Sequence, residues 1–260
     1  MPLGEKISIQ FSFFPELNAA RLICGLPGSG FVGKLAVDYL IETLHATQFA
    51  DIYSSSFPSQ VTIQSDGTVD LVKNSLFFTK NNSQDLVFLT GDAQPISAPA
   101  EYALAEEILT TCNKLKVNSI ITLAAYITGN FSKNPKVYGT STSLDIVKDF
   151  SKYGILTMNS GSIVGMNGVI IGTAKKFNIP GTCILGETSG YVIDAKASKA
   201  ILEKLSMFLN IQFDMSEISK RAEDTEQIIK SIELQANSQT STGKPRAIPS
   251  SENKNLDYIS

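Results

Sequence analysis

The sequence contains no tryptophan, one histidine and three cysteines in 260 residues. Each shortage narrows the available chemistry. His45 follows a helix-period stretch, where a terminal cation has a simple electrostatic role, and no second imidazole remains for a triad or a zinc site. Cys24, Cys112 and Cys183 are odd in number, show no C-x-x-C spacing, and sit in apolar or amphipathic runs. They read as three buried thiols in a reducing compartment. Charged residues make up only 18% and the net charge is −3. No basic stripe with interleaved aromatics appears, which excludes a nucleic-acid footprint. The apolar runs fall far short of the ~20 residues that span a bilayer, and no apolar signal segment follows Met1. These absences predict a cytoplasmic protein with no membrane, nucleic-acid or metal partner.

What is present is alternation. Short apolar runs bounded by turn residues alternate with helix-period stretches. Strands are expected at 21–24, 48–53, 61–63, 69–72, 76–79, 86–90, 119–124, 155–158 and 182–185. Helices are expected at 31–44, 99–115, 143–153, 164–177 and 195–209. Asp66-Gly67 between two β-rich runs signals a hairpin, and Leu86-Val87-Phe88-Leu89 has the continuous apolar character of a central parallel strand. The pattern predicts an α/β fold, a three-layer sandwich around a mostly parallel sheet with an antiparallel extension over 60–79.

Three segments are expected: an α/β domain over 1–212, an amphipathic helix over 213–236, and a disordered polar tail over 237–260. In the helix, Met215, Ile218, Ala222, Thr225, Ile229, Ile232 and Ala236 recur at spacings of three and four. That is a heptad seam. It serves equally as a contact between copies of the chain or as a face lying on its own domain.

Residues 24–35 run Cys-Gly-Leu-Pro-Gly-Ser-Gly-Phe-Val-Gly-Lys-Leu between a strand and a helix. Gly28, Gly30 and Gly33 satisfy G-x-G-x-x-G, and Gly28, Gly33 and Lys34 satisfy most of a P-loop; both motifs cradle phosphate at a helix N-terminus. Each lacks an essential part. Leu35 stands where a P-loop needs a hydroxyl, and Asp51 lies inside a strand rather than at its tip, where a dinucleotide site needs its acid. Gly25, Gly28, Gly30 and Gly33 are therefore read first as a turn that lets helix and strand approach closely, with no cofactor. The alternative is a nucleotide- or nucleoside-binding enzyme using Lys34 of this loop. Asp92 and Glu187, each following an apolar strand, would then supply an acid/base pair.

Five segments, in order, resemble the archaeal proteasome assembly chaperone family, homologues of the eukaryotic proteasome assembly chaperones, whose sequences have also carried an ATP-grasp label. They are Gly25–Gly33, Phe57-Pro58, Leu89–Pro95, Leu185–Tyr191 and Asp194–Ala197. The resemblance spans roughly residues 8–235. It implies a phosphorylase-like α/β sandwich, homo-oligomers, no established catalysis, and binding to α subunits of the proteasome core particle. Some family members end in a hydrophobic-Tyr-X tail that enters pockets between α subunits. On that basis Leu256, Tyr258, Ile259 and Ser260 are the candidate partner contacts. Tyr258 is third from the end rather than penultimate, and Asp257 holds the hydrophobic position.

Overall fold

The computed structural model describes residues 6–81, 84–240 and 258–259. In chain order the elements are β1 (Ile7–Phe11), β2 (Arg21–Cys24), α1 (Val32–Thr43), β3 (Thr47–Ser54), β4 (Val61–Ile63), β5 (Val69–Leu71), β6 (Asn74–Thr79) and β7 (Leu86–Gly91). There follow α2 (Ala98–Lys114), β8 (Ser119–Ile127), β9 (Val137–Ser141), α3 (Leu144–Asp149), β10 (Leu156–Thr157), β11 (Ser162–Ile163), α4 (Met166–Ala174), β12 (Gly181–Thr188), α5 (Ala195–Leu209), α6 (Ser216–Thr240) and β13 (Tyr258–Ile259).

Nine strands form one sheet in the order β1-β3-β6-β7-β2-β8-β12-β9-β10. The four central strands, β7, β2, β8 and β12, are parallel. Antiparallel pairing extends the sheet on one side through β6, β3 and β1, and on the other through β9. Strand alternation divides the core in two. Leu22, Cys24, Val87 and Leu89 point to the face covered by α2 and α4, where Leu104, Ile108, Met166 and Ile170 meet them. Ile23, Leu86, Phe88 and Leu123 point the other way, onto Val37 and Leu40 of α1 and Ile201 and Leu205 of α5. The result is the expected three-layer sandwich.

The wings differ from the expectation in detail. Only β6 of the 60–79 segment joins the main sheet; β4 and β5 form a separate two-stranded sheet. β1 and β9 are strands beyond the expected set: Ile-Ser-Ile-Gln-Phe alternates apolar and polar residues with the period of a half-buried strand, whereas Val-Tyr-Gly-Thr-Ser is short and interrupted by Gly139.

α6 lies along α5 of the same chain. Ile218, Ala222, Thr225 and Ile229 are buried there, and Met215 is half-buried against the same core. Thr225 Oγ1 accepts from the Ala195 backbone N–H at 3.3 Å, and Lys196 pairs with Glu226 at 3.6 Å. Four of the residues read as a possible seam between copies, Ile218, Ala222, Thr225 and Ile229, are thus covered within one chain. A spacing of three and four describes any narrow helical stripe, whichever surface receives it. The side chain of Ile232 lies outside the described residues. Among the described residues, no helix is long and apolar enough to cross a membrane.

Candidate functional site

The loops that leave β2, β7 and β12 gather at the carboxyl edge of the sheet, where ligands bind in open α/β folds. The glycine turn after β2 is held there by protein groups. The Gly25 N–H donates to Leu89 O at 2.9 Å, and the Phe31 N–H donates to Gly28 O at 3.0 Å. Gly30 adopts φ 61°, and its carbonyl accepts from the Asp194 N–H at 2.9 Å. A Cβ on Gly30 would come within 3.2 Å of Thr188 Oγ1.

Asp194 is the hub of this contact. One carboxylate oxygen accepts from Thr188 Oγ1 at 2.7 Å; the other accepts from the Ala197 N–H at 2.9 Å and caps α5. Ser198 Oγ, one turn on, donates to Val32 O at 2.9 Å. Gln94 closes the opposite side. Its Nε2 donates to Pro27 O at 2.6 Å and its Oε1 accepts from the Met166 N–H at 2.8 Å, joining the glycine turn to the start of α4. Gly28 is extended and open, with no atom nearer to a Cβ there than 4.0 Å.

Each of the three alternative-site candidates is engaged by other groups, and Asp92 and Glu187 are not brought together. Lys34 pairs with Asp38 at 2.9 Å and donates to Thr90 Oγ1 at 3.4 Å, while Thr90 Oγ1 donates to Asp38 at 2.5 Å. Asp92 accepts from the Lys73 N–H at 3.1 Å. Glu187 accepts from the Lys136 N–H at 3.0 Å. β2 and β8 lie between β7 and β12. Three inter-strand steps of ~4.8 Å set those strands about 14 Å apart, beyond the ~10 Å over which two carboxyl groups flank one scissile bond. Asp92 and Glu187 instead tie neighbouring chain segments to strand ends.

Burial suppresses the thiols. It pushes Cys112 and Cys183 up to about 12 and Cys24 higher still, so none is a ready nucleophile. Among the described residues no group of three or more His, Cys, Asp or Glu side chains could hold a metal ion.

At the chain terminus, Tyr258 and Ile259 form a short parallel pairing with Ser162 and Ile163 of the same chain. β11 borders a cavity of about 460 Å³, lined in part by Ser141, Met158, Ile163 and Ile171. Leu256 and Ser260 lie outside the described residues.

The sheet order, the two helical layers and the closed glycine turn define a three-layer α/β protein with a parallel centre and antiparallel wings. The chain belongs to the PAC2 family, which residues 22–233 match. This agrees with the resemblance carried by the five segments. The crystal structure of Pyrococcus furiosus PbaB, described as an archaeal proteasome activator, superposes with a TM-score of 0.82 at 32% identity, covering 87% of this chain and 98% of that one. P. furiosus PbaA, described as an archaeal homolog of proteasome-assembly chaperone, gives a TM-score of 0.72 at 24% identity, over 90% and 100% of the two chains. The uncharacterized protein MJ1210 of Methanocaldococcus jannaschii is 36% identical over 217 residues, 83% of this chain and 84% of that protein.

Gln94, Thr188 and Asp194 lie inside the segments that carry the resemblance, yet nothing in their local sequence assigns them this role. Gln94 meets Pro27 and Met166 and Asp194 meets Gly30, all distant in the chain, while Thr188 is joined to them through Asp194.

Proposed function

We propose that this protein is a non-catalytic cytoplasmic chaperone or binding factor that acts, as a homo-oligomer, on the α subunits of the proteasome core particle. The observation that carries the reading is the likeness to PbaB, which runs through 98% of that chain at 32% identity. The glycine turn is then structural: its backbone groups engage Asp194, Leu89 and Gln94, and the nearby Lys34 engages Asp38 and Thr90.

The tail supplies the contact in this reading. Leu256, Tyr258, Ile259 and Ser260 follow a polar stretch of sequence, and an apolar tip joined to a folded domain meets a pocket at high effective concentration. The pairing of Tyr258–Ile259 with β11 involves two residues. At about 1 kcal/mol net per hydrogen bond it is weak enough for a partner to displace. The test is co-sedimentation with proteasome α rings of the full chain and of a chain lacking residues 256–260. Binding by the full chain and its loss on deletion are expected. Equal binding would remove the tail from the mechanism, and no binding by either chain would end the proposal.

A further inference from the structure

The β4–β5 hairpin carries an apolar face that none of the described residues covers. Val61 pairs with Leu71 and Ile63 with Val69, with Thr62 opposite Asp70 between them. Residues directly opposite in an antiparallel pair share a face, and the next pair takes the other face. All four apolar side chains therefore stand on one side. They are 50% (Val61), 73% (Ile63), 60% (Val69) and 64% (Leu71) exposed. The polar groups are occupied elsewhere. Gln64 Nε2 donates to Asp70 at 2.8 Å, and Asp66 accepts from the Thr68 N–H at 2.9 Å and the Thr68 hydroxyl at 2.7 Å, closing the turn. A lone two-stranded hairpin is marginal in water, and this one turns its apolar side outward.

We propose that this face is the surface through which a second copy of the chain is bound. Three observations favour that occupant. The face carries no charge, so it can meet its own image in a two-fold contact without burying an ion. Its size fits. The four residues expose roughly 400 Å², within the ~300–600 Å² of the largest patch on a monomer, a size that often marks a functional surface. Ile96 is 75% exposed at the hairpin's foot, where its N–H donates to Ser56 O at 3.0 Å. Counted on two copies with Ile96, the contact reaches about 1,000 Å², the least that a specific interface should clear. Finally, a groove of about 540 Å³ at the hairpin's base, lined by Tyr53, Phe57, Pro58, Val61, Leu71 and Val72, offers a recess for side chains from the facing copy.

The inference deepens the homo-oligomer part of the proposed function and is independent of α-subunit binding. It is tested on the full chain by light scattering and sedimentation, for the wild type and for Ile63→Asp with Val69→Asp. The wild type is expected at twice the mass of one chain or more, and the variant at half the wild-type mass or less. A monomeric wild type, or a folded variant of unchanged mass, overturns the proposal. Ile63→Cys guards against a misfolded variant. The native thiols are all buried, so a short bis-maleimide meets one accessible sulfur per chain. Cross-linked pairs are expected with Ile63→Cys and not with Thr62→Cys on the opposite face; absent or equal cross-linking at the two positions overturns the proposal. Co-sedimentation with α rings separates the two readings. If the wild type forms dimers through this face but ignores α rings, the self-contact stands and the proteasome reading fails. If the wild type is a monomer whose α-ring binding the double substitution abolishes, the face belongs to the α subunit and the self-contact is wrong.

Discussion

Gly33 packs its α-carbon directly against the carbonyl of Leu123, and no side chain fits between α1 and β8. Gly33→Ala drives a methyl group into backbone that cannot give way. The expected loss is about 3 kcal/mol, the upper range for overpacking, read as a lower urea midpoint with unchanged slope. Gly30→Ala fits more easily but keeps a left-handed φ of 61°, at a cost of about 1–2 kcal/mol. If both glycines serve packing alone, millimolar ATP, NAD or nucleoside leaves the wild-type melting temperature unchanged. A saturable rise would restore a ligand to this turn, because ligand at 100 times its dissociation constant adds about 2.7 kcal/mol.

Gln94 spans Pro27 O and the Met166 N–H, so its removal strips a partner from each. Gln94→Ala is expected to lower stability by about 2 kcal/mol. Gln94→Glu keeps an acceptor for Met166 but sets a carboxylate against the Pro27 carbonyl, and should not rescue. Equal urea midpoints for wild type and both variants would show that the bridge contributes nothing.

The position of α6 sets a further expectation. Ile229 is buried in its own chain, so Ile229→Asp places a carboxylate in that contact and should cost about 2–3 kcal/mol of domain stability. Particle mass measured below the melting transition is expected to stay at the wild-type value. A fall in mass with stability intact would make this stripe a seam between copies instead.

All three thiols should be silent in the folded protein. At pH 8 a group pushed up to about 12, as Cys112 and Cys183 are, is almost wholly protonated, and burial also denies access. Ellman's reagent is expected to register none within minutes in native buffer and three in denaturant. A fast single equivalent in native buffer would identify an opening of the core.

How far the sequence could be read follows from where each signal resides. The run Leu86–Leu89 and the helix Ala195–Leu209 carry their own periodicity, and both lie where it puts them. β9 becomes a strand only because β12 stands ready to pair with it, information that no local window holds. The glycine turn is the clearest case. The same spacing permits a phosphate cradle or a close packing contact. A contact that favours close packing comes from Asp194, more than 160 residues further on, whose N–H reaches Gly30 O. The stripe on α6 was ambiguous for the same reason, since the surface that receives it is not written in the helix.

The order in which the central strands arise constrains how the chain matures on the ribosome. β2 at residues 21–24 acquires both neighbours only after β7 and then β8 have emerged, and β8 waits for β12 at residues 181–188. Until then a nine-residue apolar strand has one side open, and the helices that would cover it have no finished sheet to settle on. Pairings of such long sequence separation form slowly and leave half-made sheets exposed to other chains. For most of its synthesis this protein is itself in need of shielding.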